Sequence, residues 1–185
     1  MLLDSEHILA RTGGRPLRRI VYDAEQIASR VREMGAEITE TYPDGEDLLV
    51  LGLLKGSFIF LSDLVREIAR PVQVDFLVAS SYGSGTTSSG DVRLLYDPEA
   101  RIKDRHVILV EDIVDSGTTI NRLIPLFQQR EPKSLEVCAL LHKHIAPDLA
   151  KEPRWEGFHA PEEFLIGYGL DHSEDFRNLP FIASL

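Results

Sequence analysis

Val107-Ile-Leu-Val-Glu-Asp-Ile-Val-Asp-Ser-Gly-Thr-Thr119 is the stretch that decides the fold of this chain. Its four leading apolar residues predict a strand buried on both faces of a parallel sheet. Two adjacent acids, Glu111 and Asp112, follow, and a third, Asp115, begins a small-residue turn that leads into an amphipathic helix. Ligands of open α/β sheets bind at the carboxyl ends of the strands, so the sequence predicts a functional site here.

The turn after the strand has the composition of a phosphate-binding loop. A turn that opens a helix directs free backbone N–H groups and the positive end of the helix dipole at one point. The backbone of residues 115–119, with the Thr118 and Thr119 hydroxyls, is therefore a candidate phosphate cradle. Carboxylates directly upstream suit ribose hydroxyls, which favours a sugar phosphate over a nucleoside triphosphate. The chain contains no GxxxxGK[ST] sequence, and Gly83-x-Gly85 lacks the third glycine of a dinucleotide fingerprint.

Outward from this stretch, apolar runs alternate with amphipathic segments. Predicted strands cover Leu48 to Leu54, Val74 to Ala79, Leu135 to Leu141 and the neighbourhood of Tyr168, and predicted helices begin at about Asp23, which is the candidate N-cap, and after Lys55-Gly56-Ser57. Pro125 is predicted to kink the helix that follows the central turn. Strands that alternate with helices predict an α/β fold with a mostly parallel central sheet flanked by helices.

Composition narrows the classes of protein. The 185 residues suit one domain, and the net charge of −10 disfavours an extended nucleic-acid interface. The single cysteine, Cys138, lies in an apolar run and is predicted to be a buried strand residue, so no disulfide can form within one chain. Apolar stretches are too short to cross a membrane, and the acidic start, MLLDSEHILARTGG, does not resemble a signal peptide. We therefore expect a cytoplasmic protein with no nucleic-acid or membrane partner.

The Val107–Thr119 stretch closely resembles the phosphoribosyl-diphosphate (PRPP) motif of type I phosphoribosyltransferases. Further stretches resemble the hypoxanthine(-guanine) branch of that family, in family order: Leu54-Lys55-Gly56-Ser57, Ser81-Tyr82, Lys143, Phe164 to Asp171, and Phe176-Arg177. The resemblance implies the type I phosphoribosyltransferase fold with a small hood lobe. Within a single domain over residues 1–185, we expect an extended N-terminal arm (1–19), a core (about 20–155) and a hood (about 156–185).

The resemblance also implies an activity. Such an enzyme transfers the 5-phosphoribosyl group of PRPP to hypoxanthine, and to guanine, giving IMP or GMP and pyrophosphate, with Mg²⁺ as cofactor. The resemblance further implies a homodimer or a homotetramer, between which the sequence does not distinguish. Alternatives are a sister transferase for xanthine, adenine or a pyrimidine, an RNA-binding regulator, and a phosphate-cradling hydrolase or kinase. Assaying a panel of bases would identify a sister transferase. RNA binding that depends on nucleotide would indicate a regulator, and inertness toward PRPP would favour a hydrolase or kinase.

The resemblance assigns roles to residues of this sequence. Glu111 and Asp112 would bind the ribose hydroxyls and the metal, Asp115 would be the general base near N7 of the purine, and Asp115, Ser116, Gly117, Thr118 and Thr119 would hold the 5′-phosphate. Pyrophosphate would be bound by Lys55, Gly56 and Arg177. The purine would be bound by Lys143, Phe164, Leu165 and Asp171, and Asp171 would also bind the metal. A mobile loop would contain Ser81 and Tyr82. Thr118 departs from the family, in which many members carry a basic residue at that position.

Overall fold

The computed structural model describes residues 5–81 and 92–185. The helices are α1 (Ser5–Arg11), α2 (Ala24–Thr41), α3 (Phe58–Glu67) and α4 (Thr118–Gln128). The strands are β1 (Arg19–Tyr22), β2 (Leu48–Leu54), β3 (Gln73–Ser81), β4 (Val92–Tyr96), β5 (His106–Val114), β6 (Ser134–His142), β7 (Trp155–His159), β8 (Leu165–Ile166) and β9 (Ile182–Ser184). Within these residues, no helix is both long and apolar enough to cross a membrane.

A six-stranded sheet with the order β4-β3-β2-β5-β6-β7 forms the centre of the molecule. In the sheet order β3-β2-β5-β6-β7, each strand is parallel to its neighbours. The edge strand β4 runs antiparallel to its neighbour β3. The predicted α/β fold with a mostly parallel sheet flanked by helices is confirmed. The sequence pattern does not predict strand β4, whose sequence Val-Arg-Leu-Leu-Tyr comes soon after the polar, glycine-containing stretch at 80–90.

Strand β5 is apolar along four residues because both of its faces are covered. Ile108 and Val110 pack into a core that contains the apolar faces of α2 and α3. Val107 and Leu109 point to the opposite face, into a second core that includes α4. The four apolar side chains at 107–110 are therefore removed from water, which stabilises the strand that carries the candidate site.

Helix α2 begins where the sequence predicts. The Asp23 carboxylate accepts hydrogen bonds from the backbone N–H groups of Glu25 and Gln26, and the Gln26 side chain accepts one from the Asp23 N–H. This capping box satisfies N–H groups that have no partner within the helix. Pro125 lies inside α4, which continues to Gln128.

A second, smaller sheet with the order β1-β9-β8 joins the two ends of the chain. It packs on a cluster of Ile166, Phe176, Leu179, Phe181 and Ala183, against which Ile8 and Leu17 also pack. The predicted extended arm is wrong for residues 5–11, which form α1. Since β1 pairs with β9, and Ile8 and Leu17 pack on the same cluster, residues 8–19 are attached to the C-terminal lobe.

The prediction that Tyr168 lies in a strand of the central sheet is wrong. Tyr168 has a φ of 51° and lies in a turn that follows the two-residue strand β8. The additional parallel strand of the central sheet is β7, Trp155–His159, which pairs with β6. The predicted mobile loop begins with Ser81, the last residue of β3, whereas Tyr82 lies outside the described residues.

Candidate active site

The central acids lie within β5, because this strand continues past the apolar run to Val114. Glu111 pairs in register with Ala139 of β6, and its side chain is buried. Burial first, and the negative charge of Asp112 second, raise the pKa of Glu111 well above its ordinary value. No hydrogen bond joins its carboxyl group to another described side chain. The charged form of this buried carboxyl is therefore destabilised unless a cation or a hydroxyl group binds it.

Asp112 lies against the loop that follows β2. Burial raises the pKa of Asp112 to about 6, although backbone N–H groups and Arg177 act in the opposite direction. A Cβ atom added to Gly56 would lie 1.6 Å from Asp112 Oδ2, so no residue with a side chain fits at position 56 without displacing the carboxyl. The Leu54-Lys55 peptide bond at the start of this loop is cis.

The turn between β5 and α4 forms a cavity of about 70 Å³ that is lined by Glu111 and residues 113–120. Gly117, the N-cap of α4, has a φ of 76°, a conformation that favours glycine. In the described part of the chain, no hydrogen bond uses the backbone N–H of Ser116, Gly117, Thr118 or Thr119. These donors and the start of α4 surround the cavity, which has the character of an anion-binding site.

Asp115 and Lys143 meet at the edge of this turn. Lys143 directly follows β6, and its Nζ lies 3.0 Å from Asp115 Oδ2. The Lys143 side chain is 17% exposed and that of Asp115 is 49% exposed, so the pair is open to a ligand on the carboxylate side. The Lys143 backbone N–H also donates to the Val114 carbonyl at 3.0 Å, which ties the two strand ends together.

The C-terminal lobe supplies the other side of the site. Phe164 is 57% exposed, with its ring edge-on to exposed His172, while Leu165 is buried in β8. Arg177 Nη2 lies 2.8 Å from Asp171 Oδ1, and Arg177 Nη1 donates to the Gly169 carbonyl. Arg177 Nε is buried without a partner among the described residues.

Glu174 joins two of the predicted site cations, and sequence reasoning missed it. Both carboxylate oxygens lie 3.0 Å from Lys55 Nζ, and Oε2 lies 3.2 Å from Arg177 Nη2. These partners, Lys55 first, lower the pKa of Glu174. Glu174 has a φ of 69° in an exposed turn, and nothing in the local sequence indicates that it reaches residue 55.

The acids proposed for the metal have the chemistry that a hard divalent cation requires. Glu111 and Asp112 present carboxylate oxygens that burial destabilises in the charged form, and a cation would reverse that penalty. In the described residues, these acids do not converge with Asp171 on one point, since Asp171 pairs with Arg177. The residues therefore fit metal binding at two separate positions better than one shared ion.

A mostly parallel sheet with acids and an anion-binding turn at the carboxyl ends of its strands places this chain among the α/β proteins that bind ligands at that edge. Comparison with known proteins specifies the family: the phosphoribosyl transferase domain matches residues 19–173. Since the match covers most of the sequence, the chain belongs to the phosphoribosyl transferase family.

Individual relatives agree. The chain is 42% identical over 161 residues to the hypoxanthine phosphoribosyltransferase of Salmonella typhimurium, covering 86% of this chain and 90% of that protein. It is 44% identical over 174 residues to the hypoxanthine-guanine phosphoribosyltransferase of Mycobacterium avium, covering 91% and 86%. A solved hypoxanthine-guanine phosphoribosyltransferase from Bacillus anthracis superposes with a TM-score of 0.86 at 41% identity, covering 92% of this chain and 99% of that one.

Proposed function

We propose that this chain is a purine-salvage transferase that moves the 5-phosphoribosyl group from PRPP to N9 of hypoxanthine, and of guanine, and releases pyrophosphate. One observation carries the proposal: the side chains of Asp115 and Lys143 form an acid–lysine pair, 3.0 Å apart, beside the anion-binding turn between β5 and α4. The turn would bind the phosphate of the phosphoribosyl group, and the Asp115–Lys143 pair would bind the purine base. The names of its relatives support the same reaction.

The reaction breaks the C1′–O bond of PRPP and forms the C1′–N9 bond, through a state that resembles an oxocarbenium ion. Residues 115–119 hold the 5′-phosphate, and Glu111 and Asp112 accept hydrogen bonds from the ribose hydroxyls. Lys143 donates to O6 of the purine, Phe164 stacks on its face, and the backbone of Leu165, near Asp171, meets its 2-position edge. Asp115 stabilises the proton at N7.

The leaving group lies on the side of the β2–α3 loop. Backbone N–H groups at Lys55 and Gly56 and the guanidinium of Arg177 bind pyrophosphate. Glu111 and Asp112 would hold Mg²⁺ at one position, and Asp171 would hold it at a second, through water and the pyrophosphate; when bound, Mg²⁺ would neutralise the developing negative charge. Ser81 and Tyr82 begin the loop that we expect to exclude water.

The cellular setting completes the proposal. We propose a cytoplasmic homodimer or homotetramer whose substrates are small molecules. Light scattering of the purified protein would give the number of subunits.

The proposed reaction is tested by incubating the protein with PRPP and Mg²⁺ and, in parallel, hypoxanthine, guanine, xanthine and adenine. Chromatography should detect IMP and GMP together with pyrophosphate, and little product from adenine. Nucleotide formation from adenine alone would contradict the assigned role of Lys143. The absence of product from every base would contradict the proposed function.

Replacement of Lys143 by glutamine is expected to raise the KM for hypoxanthine by about 10- to 100-fold, because a charged donor to O6 is lost. The KM for PRPP should change little, since the phosphate turn is intact. Steady-state kinetics with each substrate varied would check this result. Lys133→Gln is the matched control, because Lys133 also forms an ion pair, with Glu46. Equal effects on both substrates would contradict a role in base recognition.

Glu174→Gln is expected to lower the KM for PRPP about two- to fivefold, in the range of exposed ion pairs. The Glu174 carboxylate pairs with the Lys55 ammonium and with Arg177, so its neutralisation removes a negative charge beside residues assigned to the anionic pyrophosphate. Initial rates at varied PRPP would measure the change. Glu131→Gln is a close control, since Glu131 also pairs with a lysine, Lys103, and also has a positive φ. A raised KM in Glu174→Gln would show that Glu174 assists PRPP binding.

A further inference from the structure

A group of histidine and glutamate side chains adjoins the base-recognising lysine and takes no part in the proposed reaction. His142 Nδ1 lies 3.1 Å from Glu156 Oε2, and His144 Nε2 lies 2.8 Å from Glu156 Oε1. One potential ligand atom from each of the three residues lies within 4.8 Å of the others. The two imidazole rings also lie close together, with centroids 3.8 Å apart.

The fold holds this group at the end of the sheet. His142 is the last residue of β6 and is buried, and Glu156 is part of the neighbouring strand β7. Both are fixed by strand backbone, which makes them rigid ligands. His144 follows the strand, is half exposed and reaches Glu156 from a backbone with a φ of 54°. Residues other than glycine rarely adopt this conformation, and its cost must be offset by contacts that the conformation allows.

We propose that His142, His144 and Glu156 form a binding site for a divalent transition-metal ion such as Zn²⁺. Two imidazole nitrogens with one carboxylate oxygen are a donor set that Zn²⁺ binds, with a fourth position left for water. The softer nitrogen donors distinguish this group from the oxygen-only acids proposed for Mg²⁺.

The ion would fix the backbone on both sides of Lys143, since its ligands are the residues directly before and after that lysine. Glu156 would tie this segment to β7, and its main-chain carbonyl is in turn held by Arg30 at 2.8 Å. This consequence rests on the proposed function, whereas ion binding itself does not.

Titration calorimetry with Zn²⁺ on the full-length protein, stripped with a chelator and kept in excess Mg²⁺, tests the site without any assay of activity. We expect one Zn²⁺ per chain. His144→Gly should weaken binding at least about tenfold, the lower end of what even indirect ligand partners contribute. Glycine tolerates the positive φ, so this variant should fold, and thermal unfolding would verify that. Glu156→Gln provides a second, isosteric variant with the same expected loss.

His172→Ala is the control, because His172 is an exposed histidine outside the group. Cobalt substitution adds a spectroscopic signature: the wild type should show visible absorption of a nitrogen- and oxygen-ligated ion that His144→Gly lacks. Equal Zn²⁺ affinity in the wild type and the folded His144→Gly variant would overturn the proposal. Failure of the wild type to bind Zn²⁺ would do the same, whatever the result of the transferase assay.

Discussion

Asp115→Asn is expected to lower kcat by about two to four orders of magnitude while the KM for PRPP changes little. Asparagine has the shape of aspartate and leaves the backbone of the phosphate turn in place, but its neutral amide can neither act as a base nor supply the negative charge that stabilises a proton at N7 of the purine. The carboxylate is half exposed and faces Lys143 at 3.0 Å, so it is accessible to the base. Steady-state kinetics with both substrates varied would separate the two parameters.

Loss of the Asp115–Lys143 ion pair is a second consequence of that substitution, and a double-mutant cycle distinguishes it. If Asp115 acted only by positioning Lys143, Asp115→Asn combined with Lys143→Gln would be no slower than Lys143→Gln alone. If Asp115 is the general base, kcat of the double variant should fall below that of Lys143→Gln by the same factor by which Asp115→Asn alone falls below the wild type. Asp97→Asn, which also removes an acid from an ion pair, with Arg130, is the control for general charge effects. Full activity in Asp115→Asn would remove Asp115 from the role of base.

The central sheet and the phosphate turn were predictable because local patterns determine them. A strand covered on both faces must be apolar throughout, and the run at Val107 has no alternative period. The Asp23 cap and the turn at Gly117 likewise depend on residues within a few positions of each other. The extension of β5 through its acids was less visible, since pairing with β6 imposes it against the local polarity.

Features of the C-terminal lobe were not predictable, because their partners are distant in sequence. Tyr168 looks like a strand residue by composition, but the lobe holds it in a left-handed turn. Glu174 meets Lys55 across 119 positions, and only the folded chain brings them together. The His142–His144–Glu156 group has the same origin, because strand pairing between β6 and β7 creates it.

Gly56→Ala is expected to lower kcat/KM for PRPP about 100-fold, the loss that a displacement of about 1 Å in an active site causes. The added Cβ would lie 1.6 Å from Asp112 Oδ2. The Asp112 carboxyl would have to rotate out of its position beside the loop. A Cβ on Gly169 would lie 2.1 Å from the Gly56 carbonyl, so the C-terminal lobe packs on the same loop and restricts how far the loop itself can shift. The free energy of unfolding should fall by about 1–3 kcal/mol, as overpacking causes.

A second substitution separates the clash from the chemistry. Gly56→Ala combined with Asp112→Ala removes the carboxyl that the new methyl group meets, so chemical denaturation should show stability restored relative to Gly56→Ala. Activity should remain low, because the ribose hydroxyls lose one of their two acceptors. Gly45→Ala is the control for glycine replacement in general, since a Cβ there meets no atom within 4 Å, although its φ of 80° adds strain. Wild-type kinetics in Gly56→Ala would mean that the β2–α3 loop moves independently of β5. That result would contradict the close contact between Gly56, assigned to pyrophosphate, and Asp112, assigned to the ribose.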